Sequence, residues 1–128
     1  MKFIATDTAP TPAGHYSQAV VHGGLIYVSG QLPLDPETRT MAAGASVTEQ
    51  TQQVLANLTA ILRAAGSDLD RVVKVTIYVS DVAHWGEVNA AYAEAFGDHR
   101  PARAIVPSRE LNHGALLELE AIAAVGDA

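Results

Sequence analysis

The segment from Leu116 to Val125 constrains the fold more than any other part of the sequence. Its side chains alternate in the period of two that is typical of a β-strand. The residues on one face are Leu117, Leu119, Ala121, Ala123 and Val125. The opposite face carries Glu118 and Glu120 among apolar residues. A sheet that contains this strand must therefore have an apolar layer on its first face, and its second face combines acids with apolar side chains.

Two amphipathic helices are predicted to supply that layer. Ser46 followed by Glu49 is a capping box, and apolar residues then recur at helical spacing until Gly66 ends the helix. Asp81 is predicted to cap a second helix that ends at Gly97. The apolar stripe of this second helix consists of Trp85, Val88, Tyr92, Ala95 and Phe96.

The other strands complete a single domain over residues 1–128. Gly23-Gly24 joins two apolar runs as a hairpin, and a tight turn is predicted at Asp35-Pro36-Glu37-Thr38. A half-buried strand is predicted over Val72 to Val79, with Val73, Val75, Ile77 and Val79 on one face, and a further strand over Arg103 to Val106. The order of elements predicts an α/β (α+β) domain with two amphipathic helices packed on one face of a mixed sheet. The other sheet face is expected to meet another subunit of a closed homo-oligomer.

Composition excludes several classes of function. The chain has a net charge of -6, so nucleic acid is not an expected partner. It contains no cysteine, which excludes thiolate metal sites and cysteine nucleophiles. Its five histidines show no paired spacing, and we expect no metal site. No apolar run is long enough to span a membrane, and the first 12 residues do not resemble a secretory signal. A cytoplasmic protein is the expectation.

Arg103 opens an apolar strand and Glu118 lies inside another, which is costly unless each group meets a partner or a ligand. Arg103 shares one side of its strand with Ile105, and we expect it to project from the sheet face that carries Glu118, so that the two groups face one cavity. A guanidinium binds the carboxylate of a small organic acid with two hydrogen bonds, and Glu118 could activate water. A salt bridge between Arg103 and Glu118 or Glu120, or acids on a solvated or interface face, would satisfy the same pattern.

Three further positions are candidates for lining such a cavity. Asn89 lies one turn after Trp85 on the second helix, where its amide must find a ligand, a local hydrogen bond or a contact at a helix end. The segment His15-Tyr16-Ser17-Gln18 precedes a strand and is expected to be irregular. Ser29 and Gly30 end the next strand, where glycine lets backbone donors approach a ligand closely, although Ser29 could equally be a turn residue.

Several separated motifs occur in one register. They are Tyr16-Ser17-Gln18-Ala19, Val28-Ser29-Gly30-Gln31-Leu32-Pro33, Gln50-Thr51 with Asn57-Leu58, Arg100-Pro101-Ala102-Arg103 and Glu118-Leu119-Glu120-Ala121-Ile122-Ala123. In these motifs the chain resembles the RidA (YjgF) family of enamine/imine deaminases, whose members are also described as endoribonuclease L-PSP-like. The resemblance implies a chorismate-mutase-like fold, a homotrimer with a site in each cleft between subunits, and no cofactor.

The resemblance also implies a reaction and its residues. Arg103 would bind the carboxylate of 2-aminoacrylate or a related 2-imino acid, and Glu118 would position or activate the water that converts it to a 2-keto acid and ammonia. The residues expected to line the pocket are Tyr16, Ser29, Gly30, Asn89 and Ile105, with His15 as a further possibility. Ile105 stands where many members have cysteine, and His15 where proline is usual. With Pro107 and the Asn112-His113-Gly114 turn, these departures indicate an altered substrate preference.

Two other functions are compatible with the same residues. A non-catalytic trimer could bind a small carboxylate and act on another protein, because an arginine clamp binds acids without converting them. An endoribonuclease or translation-inhibitor activity is the other, and the acidic charge balance disfavours it.

Overall fold

The computed structural model describes residues 1–126, which form a six-stranded mixed sheet and two α-helices. The strands are β1 (Lys2–Ile4), β2 (Ala19–His22), β3 (Leu25–Gln31), β4 (Val72–Val79), β5 (Ala102–Pro107) and β6 (Leu117–Ala124), and the helices are α1 (Val47–Ala64) and α2 (Trp85–Phe96). Short 3-10 turns lie at Leu69–Arg71, Val82–His84 and Asn112–Gly114. The strand order is β1-β2-β3-β6-β4-β5, and the β4–β5 pair is parallel, whereas the other pairs are antiparallel.

Both helices cover the same face of the sheet, as the sequence predicted. The apolar side of β6 is buried against them, together with the alternate residues of β3 and β4. The largest fully buried side chains are Ile26, Val54, Leu58, Ile61, Leu62, Val72, Val75, Ile77, Val79, Val88, Leu117 and Leu119. The opposite face, which we call the open face, carries Glu118 and Glu120 and has no helix packed on it within residues 1–126.

The predicted ends of the helices are largely confirmed. Ser46 Oγ accepts a hydrogen bond from the Glu49 amide at 3.1 Å, and Glu49 Oε1 accepts one from the Ser46 amide at 3.0 Å, which completes the capping box. Asp81 accepts from the Ala83 amide at 2.8 Å, but it caps the 3-10 turn that precedes α2 and not α2 itself. On α2 the predicted apolar stripe is wrong for Trp85 and Ala95, since both are exposed, whereas Ala91 takes a buried position.

The hairpin and the tight turn are also present. Gly23 and Gly24 have φ values of 61° and 79°, the left-handed conformation that a two-residue hairpin turn requires. Asp35 Oδ1 accepts hydrogen bonds from the amides of Glu37 and Thr38, which forms the predicted turn.

No helix within residues 1–126 is both long and apolar enough to cross a membrane.

A bulge in β4 changes the face of one predicted core residue. The pairing with β6 shifts between Val72, opposite Ala123, and Lys74, opposite Ile122. The extra residue, Val73, is therefore turned outward and is 49% exposed, while Val72 is buried. The prediction that Val73 lies on the core face is wrong for this reason.

Arg103 and Glu118 lie on opposite faces of the sheet, so the expectation that they share one face is wrong. Parallel pairing sets Arg103 beside Val75, which points into the core under the helices. Antiparallel pairing sets Glu118 beside Tyr78 on the open face. Val75 and Tyr78 are three residues apart on β4 and therefore point to opposite sides. Alternation assigns faces within one strand, and only the pairing register relates one strand to another.

Candidate functional site

Arg103 lines a cleft of about 480 Å³ between α2 and the start of β5. The lining residues are Asn89, Tyr92, Ala93, Phe96, Gly97, His99, Arg100, Pro101 and Arg103, with no acid among them. The guanidinium carbon of Arg103 lies 4.7 Å from the ring centre of Tyr92 and 5.7 Å from that of Trp85. Cation–π contacts of this kind hold a guanidinium in place without using its N–H donors.

No carboxylate within residues 1–126 pairs with Arg103, since Arg63–Asp68 is the one salt bridge found there. The alternative in which Arg103 is neutralised by Glu118 or Glu120 in the same chain is therefore wrong. The cationic cleft has the character of a site for an anion that comes from outside the protomer.

Two polar groups in this cleft lack partners within the described part of the chain. The Tyr92 hydroxyl is buried without a hydrogen bond, and burial raises the pKa of Tyr92 to about 12 despite the opposing charge of Arg103. The Tyr92 hydroxyl is thus a neutral donor at physiological pH. Asn89 is partly buried, and its side-chain amide makes no hydrogen bond to another residue among 1–126.

Sequence reasoning missed Trp85 and Tyr92 as site residues, because it assigned both to the apolar stripe of α2. Their spacing of seven residues, which places them on one helix face, was the available signal.

Ile105 shares the face of Arg103 on β5, lies opposite Ile77 and packs against the core. It does not line the Arg103 cleft.

On the open face, Glu118 lies directly over Gly30. A Cβ atom at position 30 would collide with Glu118 Oε2 and would lie 3.2 Å from its Cδ, so the absence of a side chain there makes room for the carboxyl group. Burial, with a smaller contribution from the nearby charge of Glu120, raises the pKa of Glu118 above its usual value. A carboxyl group with a raised pKa can both accept and donate a proton nearer to neutral pH.

Glu120 is engaged differently from Glu118. It is exposed, and its Oε1 accepts a hydrogen bond from the Tyr78 hydroxyl at 2.7 Å, which raises the pKa of Tyr78. Glu118 makes no such bond to a residue within 1–126, so its carboxyl oxygens are available to a ligand or to water.

The loop before β2 lies next to Gly30. Tyr16 and Gly30 both line a cleft of about 110 Å³. Ser29 Oγ donates to the Ser17 carbonyl at 2.6 Å and the Ser29 amide donates to the Gln18 carbonyl at 3.0 Å, which ties this loop to β3. His15 is exposed and lines neither this cleft nor the Arg103 cleft.

The predicted site residues thus divide into two groups within one chain. Arg103 and Asn89 lie on the helix side of the sheet, and Tyr16, Gly30 and Glu118 lie at or beside the open face. Among residues 1–126 there is no group of three or more His, Asp or Glu side chains placed to hold a metal ion.

The fold and these residues define a small α+β protein with an arginine that makes no ion pair among residues 1–126 and a separate, partly buried acid, and comparisons with known proteins give its family. Residues 6–125 match the family model described as Endoribonuclease L-PSP. The chain is 45% identical over 120 residues to a RutC family protein of Pyrococcus horikoshii, covering 94% of both. It is 43% identical over 125 residues to the rat protein named 2-iminobutanoate/2-iminopropanoate deaminase, covering 98% of this chain and 90% of that one.

Solved structures agree with these matches. RidA from the Antarctic bacterium Psychrobacter sp. superposes with a TM-score of 0.92 at 38% identity, covering 98% of this chain and all of the other. Escherichia coli TdcF with bound serine gives a TM-score of 0.92 at 33% identity, with the same coverage. The chain belongs to the Endoribonuclease L-PSP family, which includes the RidA, YjgF and RutC proteins and a protein named as an imine deaminase.

Proposed function

We propose that this protein hydrolyses 2-imino acids, and the 2-aminoacrylate-type enamines that tautomerise to them, to 2-keto acids and ammonia. The catalytic unit is a homotrimer in which each site lies between two protomers. Substrates of this kind are released by pyridoxal-phosphate enzymes, and the proposed setting is the cytoplasm. The reaction requires no cofactor, because addition of water to a C=N bond needs only proton transfers.

The observation that carries the proposal is the Arg103 guanidinium, which two aromatic rings hold in an acid-free cleft. A planar guanidinium binds a carboxylate through two parallel hydrogen bonds, and 2-imino acids carry a carboxylate next to the reacting carbon. The amide of Asn89, which also lines this cleft, is a second polar group for the substrate. That TdcF was solved with serine bound supports a small amino-acid-like ligand.

The second half of the reaction requires Glu118, which lies on the other side of the sheet. A substrate held by Arg103 can reach Glu118 only if a different protomer supplies the acid. The open face supports such an assembly, since a row of paired residues crosses it: Phe3, Val20, Tyr27, Ile122 and Lys74. Phe3 is 65% exposed and Tyr27 45% exposed, which is typical of a surface covered by another subunit.

The chemistry then follows from the raised pKa of Glu118. The enamine takes up a proton on carbon and becomes the iminium ion, and a 2-imino acid forms the same kind of ion by protonation on nitrogen. Water adds to the iminium carbon while the Glu118 carboxylate accepts a proton from it. Glu118 returns that proton to the nitrogen of the carbinolamine, and it then accepts the hydroxyl proton as ammonia departs and the C=O bond of the keto acid forms. We assign Tyr16, Ser29 and Gly30 to the Glu118 side of the site and Ile105 to the β5 face that carries Arg103, whereas His15 lines neither cleft.

The proposal is tested with imino acids generated in situ by an amino-acid oxidase. The purified protein should accelerate imine decay over buffer. Loss of a charged hydrogen bond costs roughly 1.5 to 3 kcal/mol, so Arg103→Ala should lower kcat/KM at least about tenfold. No acceleration with any of several 2-imino acids would reject the proposal, and a fully active Arg103→Ala variant would remove Arg103 from the mechanism.

The Arg103 cleft is also compatible with a second function, which is binding of a small carboxylate without conversion. An arginine clamp without turnover would make the protein a small-carboxylate sensor, and Glu118→Ala separates the two functions. In a deaminase this variant should retain ligand binding and lose hydrolysis. In a sensor the wild-type protein should bind 2-keto acids and leave imines unchanged. The RNA-directed activity in the family's description is disfavoured by the charge of -6, and salt-sensitive RNA binding by nuclease-free protein would revive it.

A further inference from the structure

The small cleft beside Gly30 is a second cationic cleft in a protein whose net charge is -6. Its lining combines Arg39 and His113 with the Tyr16 ring and the side of Gly30, and no Asp or Glu contributes to it. Arg39 forms no ion pair with any residue among 1–126, and its Nη2 donates a long hydrogen bond of 3.5 Å to the Thr11 carbonyl. The cation is therefore free to meet an anion.

Arg39 and His113 are also held in an unusual backbone conformation. They are the two non-glycine residues with positive φ in the described chain, at 60° and 62°. Side-chain-bearing residues rarely adopt this conformation, and such residues concentrate at binding sites. They lie in separate turns, one after β3 and one before β6, and both turns direct their residue to the same cleft.

Gly30 connects this cleft to the candidate reaction centre. One side of Gly30 lines the cleft, and its missing Cβ is the space occupied by the Glu118 carboxyl group. A molecule whose reacting carbon is beside Glu118 can therefore extend a short side chain past Gly30 toward Arg39. The volume of about 110 Å³ accommodates a carboxylate with one or two methylene groups.

We propose that this cleft binds the distal carboxylate of the substrate, so that the preferred substrates are 2-imino dicarboxylic acids such as 2-iminosuccinate and 2-iminoglutarate. The inference rests on the proposed function and specifies its substrate class. Arg103 of one protomer binds the carboxylate next to the imine carbon. Arg39, assisted by His113, binds the second carboxylate beside Glu118 of the neighbouring protomer.

The kinetic test compares 2-iminoglutarate with 2-iminopentanoate, which has the same side-chain length without the distal charge. Wild-type kcat/KM should be at least about tenfold higher for the dicarboxylic acid, the effect of one charged hydrogen bond. Arg39→Gly keeps a residue suited to positive φ and removes the cation, and His113→Asn does the same for the imidazole. Arg39→Gly should abolish the preference, His113→Asn should reduce it, and both should leave the rate with 2-iminopentanoate within about twofold.

Arg63→Gln is the matched control, because it removes one positive charge from the exposed ion pair between Arg63 on α1 and Asp68 beyond its end, and it should preserve the preference. The inference is overturned if wild-type protein hydrolyses both imines equally well. It is also overturned if Arg39→Gly retains the wild-type ratio.

A binding measurement separates this inference from the proposed function. Titration calorimetry compares 2-oxoglutarate with 2-oxopentanoate on wild-type protein and on Arg39→Gly. Tighter binding of 2-oxoglutarate that is lost in Arg39→Gly supports the dicarboxylate site even if no imine is hydrolysed, in which case only the deaminase proposal fails. Equal affinities, together with hydrolysis of 2-iminopentanoate, reject the dicarboxylate site and leave the deaminase intact.

Discussion

Arg103 illustrates how a charged residue is held in place without an ion pair. An edge-strand arginine is usually solvated or paired with an acid, whereas Arg103 is partly buried and its guanidinium carbon lies over the rings of Tyr92 and Trp85. A cation–π contact attracts the charge electrostatically and uses none of the N–H donors. The chain thus keeps both the positive charge and its directional donors available, which a salt bridge to Glu118 would have consumed.

The absence of a side chain at Gly30 leaves the space in which the Glu118 carboxyl group lies. A methyl group in Gly30→Ala would collide with the end of the Glu118 side chain, which is flexible enough to rotate away. We therefore expect a small change in stability and a displaced carboxyl group. Misplacement of a catalytic group by about 1 Å can cost about a hundredfold in rate, so kcat/KM should fall at least tenfold. Thermal unfolding and imine hydrolysis, measured on the same preparation, check this.

Gly86→Ala is the matched control for Gly30→Ala, since a Cβ atom at Gly86 meets nothing within 4 Å. Full activity in Gly30→Ala would show that the contact with Glu118 does not position the acid.

The raised pKa of Glu118 predicts a pH-dependent stability difference. Burial favours the protonated form in the folded state, so the folded pKa lies above the unfolded one. The favourable contribution is complete below the unfolded pKa and is lost as pH rises through the raised folded pKa. Glu118→Gln mimics the protonated form, and its free energy of unfolding relative to wild type should increase across that window.

Urea unfolding at a series of pH values measures this difference. Glu94→Gln removes an exposed carboxylate from α2 and serves as the control. A pH-independent difference between wild type and Glu118→Gln would contradict the assignment of a raised pKa to this group.

Among the secondary elements, α1 carries the polar contacts that fix the chain after β3. The Asn57 amide is buried and donates to the carbonyls of Leu32 and Leu34 at 3.1 and 2.9 Å. Asn57→Ala removes both donors and leaves two carbonyls without these partners, so we expect a loss of about 2 to 4 kcal/mol in the free energy of unfolding.

Urea unfolding of Asn57→Ala is compared with that of Gln52→Ala, an exposed position on the same helix that should change stability by less than about 0.5 kcal/mol. If the two variants were equally stable, the Asn57 contacts would have no net role in holding this loop.

The accuracy of the sequence interpretation differs between elements for a physical reason. The capping box of α1 and the Gly23-Gly24 hairpin were predicted correctly, because each depends on residues close together in the chain. The assignment of Val73 failed, because a bulge depends on the partner strand and leaves no mark in the alternation of β4 itself. Strand β1 was not predicted, since its three residues acquire their pairing from β2.

At the scale of the whole molecule, the sequence did not predict how the strands pair with one another. The sequence indicated which side chains of β5 and β6 alternate, but the register of each with β4 determines that Arg103 and Glu118 point apart. The aromatic partners of Arg103 were missed because the spacing of Trp85 and Tyr92 places them on one face of α2 but does not show that Arg103 packs against that face. The resemblance in motifs identified the family, whereas the arrangement of its residues required the structure.

Because Arg103 and Glu118 lie on opposite faces of the sheet, the proposed site predicts that subunits complement one another in an oligomer. If each site takes Arg103 from one protomer and Glu118 from the next, two inactive variants can restore activity in one oligomer. Arg103→Ala and Glu118→Gln trimers should each be nearly inactive alone. Random mixing in a closed trimer puts both variants in about three quarters of the assemblies, and about one site in three is then intact in each of these. Mixed trimers purified through both tags should therefore recover about a third of the wild-type kcat per protomer, and the unfractionated co-expressed mixture about a quarter.

The measurement requires separately tagged subunits, so that mixed oligomers are purified by both tags and their mass is determined in solution. The double variant Arg103→Ala/Glu118→Gln, mixed with wild type in the same way, is the control for subunit exchange. A site contained within one protomer would give no recovery on mixing, because every chain lacks one of the two groups. A monomeric protein with full activity would exclude the intersubunit site altogether, because no neighbouring protomer would be present to supply Glu118.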